Sequence, residues 1–176
     1  MTHPALSLRE FEGAGYDKGR SVVWQVAWLA LRTPLSAWFV PAKLRVLVLR
    51  VFGARIGDDV LIRHGVKIHW PWKLVVGNGS WLGEGAWILN LEDVEIGSDV
   101  CISQDVLICS GSHQRRSRTF EFDNAPIRIA DRAWIGARAV VLRGVVVGPN
   151  CVVGANTVVA SDLGPGSVVI SRATSV

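Results

Sequence analysis

The sequence predicts an all-β fold, a parallel β-helix of about five coils preceded by a helical segment. Three observations predict it. A branched apolar residue recurs at every sixth position, a second and mostly small residue follows four positions later, and neither pattern is present before residue 56. A period of six fits neither the 3.6-residue repeat of an α-helix nor the two-residue repeat of a simple strand. It is the hexapeptide repeat of a solenoid whose coils stack around one core.

The register of the repeat predicts where each coil begins. Three hexads form one triangular coil, and two-residue insertions near Val75 and Glu95 lengthen the first two coils. A glycine often follows the branched residue, where we expect a tight corner to need freedom at φ. The predicted coils begin at Ile56, Val76, Ile96, Ile129 and Val147.

The chain divides into three parts. Residues 1–55 form a helical cap or anchor, residues 56–170 form the β-helix with a loop at 113–127, and residues 171–176 form a short tail. A content of 49% hydrophobic residues and 18 glycines suits one domain with many corners. Three scattered cysteines give no disulfide framework, and acidic residues precede the first apolar run. We therefore expect a reducing, cytoplasmic location without a secretory signal.

The segment before the repeat predicts two short helices. The first covers residues 21–32 and ends before Pro34, and the second covers residues 42–52 and is stopped by Gly53. The longest uncharged run is too short to span a bilayer. Both helices combine tryptophan or other apolar residues with basic ones. Two interpretations stay open: a cap over the open end of the β-helix, or a peripheral anchor at the inner face of a membrane, touching anionic lipid.

The polar stretch HQRRSRTFEFDNAPI at 113–127 interrupts the repeat. A solenoid core gains nothing from such an excursion, which therefore indicates a functional site. A lone histidine is more often structural than catalytic, but His113 stands where the only long loop begins. The arginines at 115, 116 and 118 and the net charge of +4 suit an anionic cofactor or an acidic polysaccharide. No nucleic-acid motif accompanies them, so we expect no nucleic-acid partner.

Four stretches carry a resemblance to a known family. They are VFGARIGDDVLIRHGVKIHWPWKL (51–74), VCISQDVLICSGSH (100–113), RTFEFDNAPI (118–127) and IADRAWIGARAVVLRGVVVGPNCVVGANTVVASDL (129–163). The chain resembles the hexapeptide-repeat acyltransferases, and within them the sugar O-acetyltransferases of exopolysaccharide synthesis of the colanic-acid type. The resemblance implies a left-handed β-helix, although ordinary parallel crossovers are right-handed. It also implies a homotrimer that transfers acetyl from acetyl-CoA to a sugar hydroxyl.

The resemblance also implies roles for individual residues. His113 matches the catalytic histidine, and imidazole suits proton removal from a hydroxyl near pH 7. Ala137, which follows Trp134 by three residues, matches the position whose backbone N–H faces the thioester oxygen. Asn90 matches an asparagine that contacts the acceptor sugar, with an asparagine at a coil corner as an equal alternative.

The cofactor positions depart from the family in part. Gly154 and Ala155 match backbone that lies along the pantetheine arm of CoA, and Trp134 is assigned to the same cofactor site. Ser161 stands where the family usually has a lysine, and the C-terminal turn that helps to hold CoA is replaced. Either Arg172 supplies the missing charge or CoA affinity is reduced.

Two other functions remain as alternatives. A zinc enzyme of the carbonic-anhydrase type would need His64, His69 and His113 around one ion. Coil counting places the first two roughly 9–10 Å from the third, whereas zinc–nitrogen bonds are about 2.0–2.1 Å. We therefore expect no metal. The second alternative is a non-catalytic scaffold of polysaccharide assembly, suggested by the altered C-terminus. The sequence leaves the acceptor sugar and its hydroxyl open.

Overall fold

The computed structural model describes residues 6–171, in which sixteen short parallel strands form a solenoid behind two helices. The helices are α1 (Val22–Leu35) and α2 (Ala42–Val51), and single 3₁₀ turns cover Leu8–Glu10 and Pro71–Lys73. The strands are β1 (Arg55–Ile56), β2 (Leu61–Ile62), β3 (Lys67–Ile68), β4 (Leu74–Val76), β5 (Trp81–Leu82), β6 (Trp87–Leu89), β7 (Val94–Ile96), β8 (Cys101–Ile102), β9 (Leu107–Cys109), β10 (Ile127–Ile129), β11 (Trp134–Ile135), β12 (Val140–Leu142), β13 (Val146–Val147), β14 (Val152–Val153), β15 (Val158–Val159) and β16 (Val168–Val169).

Successive strands occupy the three faces of a prism in turn. Face A contains β1-β4-β7-β10-β13, face B contains β2-β5-β8-β11-β14-β16, and face C contains β3-β6-β9-β12-β15. Because every pairing is parallel, the branched residues of successive coils stack directly on one another inside the prism. The predicted parallel β-helix is confirmed.

The coil register is confirmed at all five predicted starts. Ile56 pairs with Val76, Val76 with Ile96, Ile96 with Ile129 and Ile129 with Val147. The structure adds a sixth, incomplete turn, in which Leu163 bridges to Val147 and β16 pairs with β14. The fifth coil, from Val147 to Leu163, is two residues shorter than the fourth, so a strict count of six misses the start of the sixth turn.

The expected reason for the corner glycines is wrong. Gly57, Gly97 and Gly136 do not have positive φ; positive φ falls two residues later, as at Asp59 and Asp99. The glycines are required because the next coil leaves no room for a side chain. A Cβ at Gly57 would lie 2.2 Å from the side chain of Asn78 in the next coil.

The helices also differ from the prediction at their ends. Helix α1 runs through Pro34 and ends at Leu35, three residues beyond the predicted end. Pro34 lies in the last turn, where its missing N–H leaves only the carbonyl of the exposed Ala30 without a helical partner. Helix α2 ends at Val51, and Gly53 then takes a φ of 94°. Neither helix is long and apolar enough to cross a membrane.

Side chains from the helices cap the open edge of the first coil. In later coils, the carbonyl of each branched residue accepts an N–H from the preceding coil, as Val76 accepts from Gly57. The first coil has no preceding coil. Its three strand carbonyls instead accept side-chain donors, one on each face: Ile56 from Arg50, Ile62 from Arg45 and Ile68 from the indole of Trp28. The helices thus satisfy an edge that would otherwise be an exposed template for pairing.

Candidate active site

The interruption of the repeat forms a loop at the corner between faces C and A. It leaves the prism after β9 and returns at β10, so that 33 residues separate the paired Ile96 and Ile129, against 18 from Ile129 to Val147. The loop is itself paired, because His113 forms an antiparallel bridge with Phe122 and the amide of Asp123 donates to the carbonyl of Ser112. The site is therefore built on an ordered excursion.

The ring of His113 is held by one hydrogen bond and two aromatic side chains. Its Nδ1 lies 2.9 Å from the carbonyl oxygen of Phe120. Since a carbonyl only accepts, Nδ1 carries the proton and donates, which leaves Nε2 free to accept a proton. The ring stacks on Phe120 at 4.4 Å between centroids and on Phe122 at 5.1 Å. Phe120 has a φ of 54°, an unusual conformation for a non-glycine residue and one of the kind that collects at functional sites.

The beginning of the chain covers this loop, a contact that the sequence analysis did not anticipate. Phe11 meets the rings of both His113 and Phe122 edge to face. The carboxylate of Glu121 accepts backbone N–H groups from Glu12 and Ala14, at 3.0 and 2.8 Å. These partners are more than a hundred residues apart in the sequence, and no spacing pattern connects them. The segment at 7–16 thus packs against the loop and against the ring of His113.

His113 lines an open cleft of about 860 Å³. The guanidinium of Arg143 pairs with Asp123 at its wall, whereas Arg115 and Arg116 are exposed and form no ion pair within residues 6–171. The cleft is therefore positively charged and suits an anionic substrate. The lining residues are Gly111, Ser112, His113, Gln114, Arg115, Arg116, Ser117, Asp123, Leu142, Arg143 and Ala160.

Ala137 lies at a different corner, between faces B and C, and its backbone N–H has no acceptor among residues 6–171. At equivalent places on the corner between faces A and B, side chains of the next coil supply acceptors: Asn78 for Asp58 N–H and Asp131 for Ser98 N–H. One coil beyond Ala137 stands Ala155, which has no side-chain acceptor. The N–H of Ala137 is thus left free to donate to a ligand.

The other predicted cofactor residues divide between these two corners. Gly154 and Ala155 stack one coil beyond Ala137, and the amide of Asn156 donates to the Ala137 carbonyl. Ser161 follows Ala160, which lines the His113 cleft. Arg172 lies outside the described residues.

Two exposed tryptophans lie on strands near these corners. Trp87 and Trp134 begin β6 and β11 and point outward, and the side chain of Trp134 is 53% exposed. Its indole N–H donates to the hydroxyl of Ser103 at 2.9 Å. Trp134 is therefore part of the outer surface of face B, beside the corner at Ala137.

Asn90 is placed where no substrate can reach it, since its exposed fraction is 0%. Its side-chain oxygen accepts the N–H groups of His69 and Trp70, and its amide nitrogen donates to the carbonyls of Trp70 and Lys73. All its hydrogen-bonding capacity is used inside the chain. The geometry assigns Asn90 to the support of the coil corner at 69–73, the alternative that the sequence left open, and not to acceptor contact.

His64 and His69 do not converge with His113. His64 pairs with Glu84 at 3.1 Å, and His69 lines a separate cavity of about 480 Å³ between α1 and face C. Burial, and then the charges of Arg32, Lys18 and Lys73, lower the pKa of His69 to about 4. Within residues 6–171, no three histidine, cysteine or acidic side chains are grouped so that they could hold a metal ion.

Comparison with known proteins identifies a matching family and similar sequences. The family described as bacterial transferase hexapeptide (six repeats) matches residues 126–161. The putative colanic acid biosynthesis acetyltransferase WcaF of Escherichia coli K12 is 37% identical over 157 residues, covering 88% of this chain and 85% of the relative.

Solved structures share the fold. A hexapeptide-repeat acetyltransferase of Vibrio cholerae, solved with acetyl coenzyme A, superposes with a TM-score of 0.80 at 22% identity, over 93% of this chain and 91% of the other. A galactoside acetyltransferase solved with coenzyme A gives a TM-score of 0.75 at 22% identity, over 85% and 76% of the two chains.

Proposed function

The chain belongs to the hexapeptide-repeat acetyltransferases, and from that membership we propose that it transfers acetyl from acetyl-CoA directly to a sugar hydroxyl, with His113 as general base. The observation that carries the proposal is the hydrogen bond between His113 Nδ1 and the Phe120 carbonyl in a histidine that lines the cleft. Because the carbonyl requires a donor, Nε2 is the nitrogen left to accept a proton. The relative in Escherichia coli is named for colanic acid biosynthesis, which supports a polysaccharide precursor as the acceptor.

The proposed reaction requires a general base and a donor to the developing oxyanion. His113 Nε2 takes the proton of the acceptor hydroxyl while the hydroxyl oxygen attacks the thioester carbonyl carbon. The free N–H of Ala137 donates to the oxygen that becomes negatively charged. Collapse of the tetrahedral intermediate breaks the carbon–sulfur bond, and the imidazolium returns its proton to the departing thiolate. Proton and acetyl transfer therefore balance without a metal or a covalent enzyme intermediate.

These two groups require a second subunit. His113 stands at the corner of faces C and A, whereas Ala137 stands at the corner of faces B and C, so the width of face C separates them within one chain. In a homotrimer with parallel axes, the His113 corner of one subunit meets the Ala137 corner of the next. We propose that each active site is shared in this way.

The outer surfaces of the faces support this assembly. Outward positions on face A include one charged pair, Arg128 with Glu95, together with the apolar Val75 and the exposed Val146. Outward positions on faces B and C are apolar and exposed, and include Trp81, Trp134 and Val158. Burying such rows between subunits is favourable, at roughly 25 cal/mol for each Å² of apolar surface removed from water.

Acetyl-CoA would lie along the corner that contains Ala137 and Ala155 in one subunit, with its phosphates near Ser161 at the His113 corner of the adjoining subunit. The exposed backbone at Ala155 leaves room for a pantetheine arm, because no side chain beyond Cβ projects there. The cations of Arg115 and Arg116 would supply charge for an anionic acceptor or for the phosphates.

Release of thiol from acetyl-CoA in the presence of a panel of sugar acceptors tests the reaction. His113→Ala should lower kcat by about 10²–10⁴-fold, whereas His64→Ala, a matched histidine on the first coil, should leave it unchanged. An unaltered rate in His113→Ala would refute the assignment of the base.

Co-expression of two inactive variants tests the shared site. Ala137→Pro removes the N–H at a turn that tolerates proline, since Arg138 follows with a φ of 58°. In random trimers of His113→Ala and Ala137→Pro subunits, about one site in four combines both intact groups. Activity should return to about a quarter of wild type. No recovery would place both groups in one subunit's site.

A further inference from the structure

The outer sides of α1 and α2 are apolar. Each helix buries only two side chains against the prism, Trp28 and Leu35 from α1 and Arg45 and Leu49 from α2. A helix that faces water normally carries polar residues on its outer side. Here that side carries exposed apolar residues: Val22, Val23, Trp24, Val26, Leu29, Leu31, Leu44, Leu47 and Val51. We call these residues, together with the connection between the helices, the outer helical surface.

The connection between the helices presents two aromatic side chains. Trp38 is 79% exposed and Phe39 is 69% exposed, and their rings meet edge to face at 5.9 Å. Neither ring packs on the core of the described chain. Exposed tryptophan next to basic residues is the composition of segments that lie at the boundary between lipid headgroups and acyl chains.

The charged side chains of α1, α2 and the connection between them are all basic. Between Asp17 and Asp58 the chain contains seven lysine and arginine residues and no acidic residue. Of these, Arg45 is buried and Arg50 pairs with Asp58, so the others leave the region strongly positive. A symmetric contact between two such surfaces would oppose cation to cation. An anionic surface complements the region, and its apolar residues require one that also accepts hydrocarbon.

We propose that the outer helical surface binds an anionic lipid bilayer, with α1 and α2 lying in the plane of the headgroups. The inner sides of the helices cap the first coil, so binding uses only side chains that the fold does not need. No helix of the described chain is long enough to span the bilayer. The outer helical surface lies at the opposite end of the prism from the sixth turn. Lipid binding by this surface does not depend on the proposed reaction.

Cosedimentation of the full chain with sucrose-loaded vesicles tests the proposal. Vesicles of phosphatidylcholine with about one-third phosphatidylglycerol should bind the protein, and pure phosphatidylcholine should bind it far more weakly. The double variant Trp38→Ser, Phe39→Ser should lower affinity for the anionic vesicles by roughly 30-fold, because it removes two apolar groups that enter the interface.

Charge reversal provides a matched comparison. Lys43→Glu on α2 should weaken binding by about tenfold, whereas Arg132→Glu, an exposed arginine on the prism, changes the net charge equally and should not. Thiol release with a water-soluble acceptor should be unaffected in all three variants, which separates this surface from the active site. The proposal would be overturned if the double aromatic variant bound anionic vesicles as tightly as wild type, or if wild type did not bind them. A smaller oligomer in that variant would also overturn it, since the surface would then belong to a subunit contact.

Discussion

Replacing Arg45 with methionine should lower the free energy of unfolding by about 3 kcal/mol. Arg45 is buried, and its guanidinium donates to the carbonyls of Leu35, Ile62 and Ala37 at 3.2, 3.1 and 2.7 Å. Methionine fills a similar volume but donates nothing, so the Ile62 carbonyl at the open edge of the first coil and the carbonyls of Leu35 and Ala37 lose their donor. A hydrogen bond to a charged donor is worth about 1.5–3 kcal/mol.

The gain from removing a buried charge offsets part of that loss. Burial, and then the nearby charge of Arg63, lower the pKa of Arg45, which means that the fold disfavours its charged form. With three bonds of about 1.5 kcal/mol each, less a desolvation relief on the order of 1–2 kcal/mol, the net loss is about 3 kcal/mol.

Urea unfolding at fixed protomer concentration measures this difference, since stability of an oligomer depends on concentration. Arg63→Met, an exposed neighbour that also removes one charge, is the control and should change stability by less than about 0.5 kcal/mol. A loss below about 1 kcal/mol for Arg45→Met would mean that water replaces the guanidinium at the first coil. The argument that side chains cap this edge would then fail.

Two further changes address pH and cofactor affinity. Burial lowers the pKa of His69 from its usual 6.5 to about 4, so the stability associated with its neutral form is full above pH 6.5 and is lost as pH falls toward 4. His69→Gln should therefore lose less stability than wild type between pH 7 and pH 4.5, by up to roughly 2 kcal/mol after allowance for partial exposure; parallel urea curves at the two pH values would contradict this. Ser161→Lys should raise CoA affinity by about threefold at low ionic strength and not at high salt, as calorimetry can measure. An unchanged affinity in Ser161→Lys, with a fall in Arg172→Ala, would assign the phosphate contact to Arg172.

The fold was predictable because its core depends on a local and repeated constraint. Each coil must place a branched residue inward at the same point, so the sequence itself repeats with a period of six. All five predicted coil starts pair as expected. The last turn was missed for the same reason. Its spacing shortens by two residues to Leu163, and a period cannot predict its own exception.

The site was predictable only where it interrupts that period. The loop at 113–127 and His113 could be found because a polar excursion is conspicuous in an apolar repeat. The groups that orient the histidine could not, because they are a backbone carbonyl at Phe120 and a ring from Phe11 a hundred residues earlier. For Asn90, by contrast, the sequence suggested a role in sugar binding that the structure does not support. Its residue type fits sugar recognition, but the two-residue insertion in the preceding coil creates a corner at 69–73 that uses all its hydrogen bonds.

The helical segment shows why a cap and a membrane anchor could not be separated by sequence. Both need apolar residues on a helix, and pattern alone does not say which side meets the prism. We propose that different surfaces of the helical segment meet the two requirements. Arg45 and Arg50 donate inward to the first coil, while Trp38 and Phe39 remain exposed. A helix that only capped the prism would have no reason to keep its outer side apolar, since polar residues there would cost the fold nothing. The apolar outer side is therefore not explained by capping, and the basic residues around it support the proposed anionic bilayer as its partner.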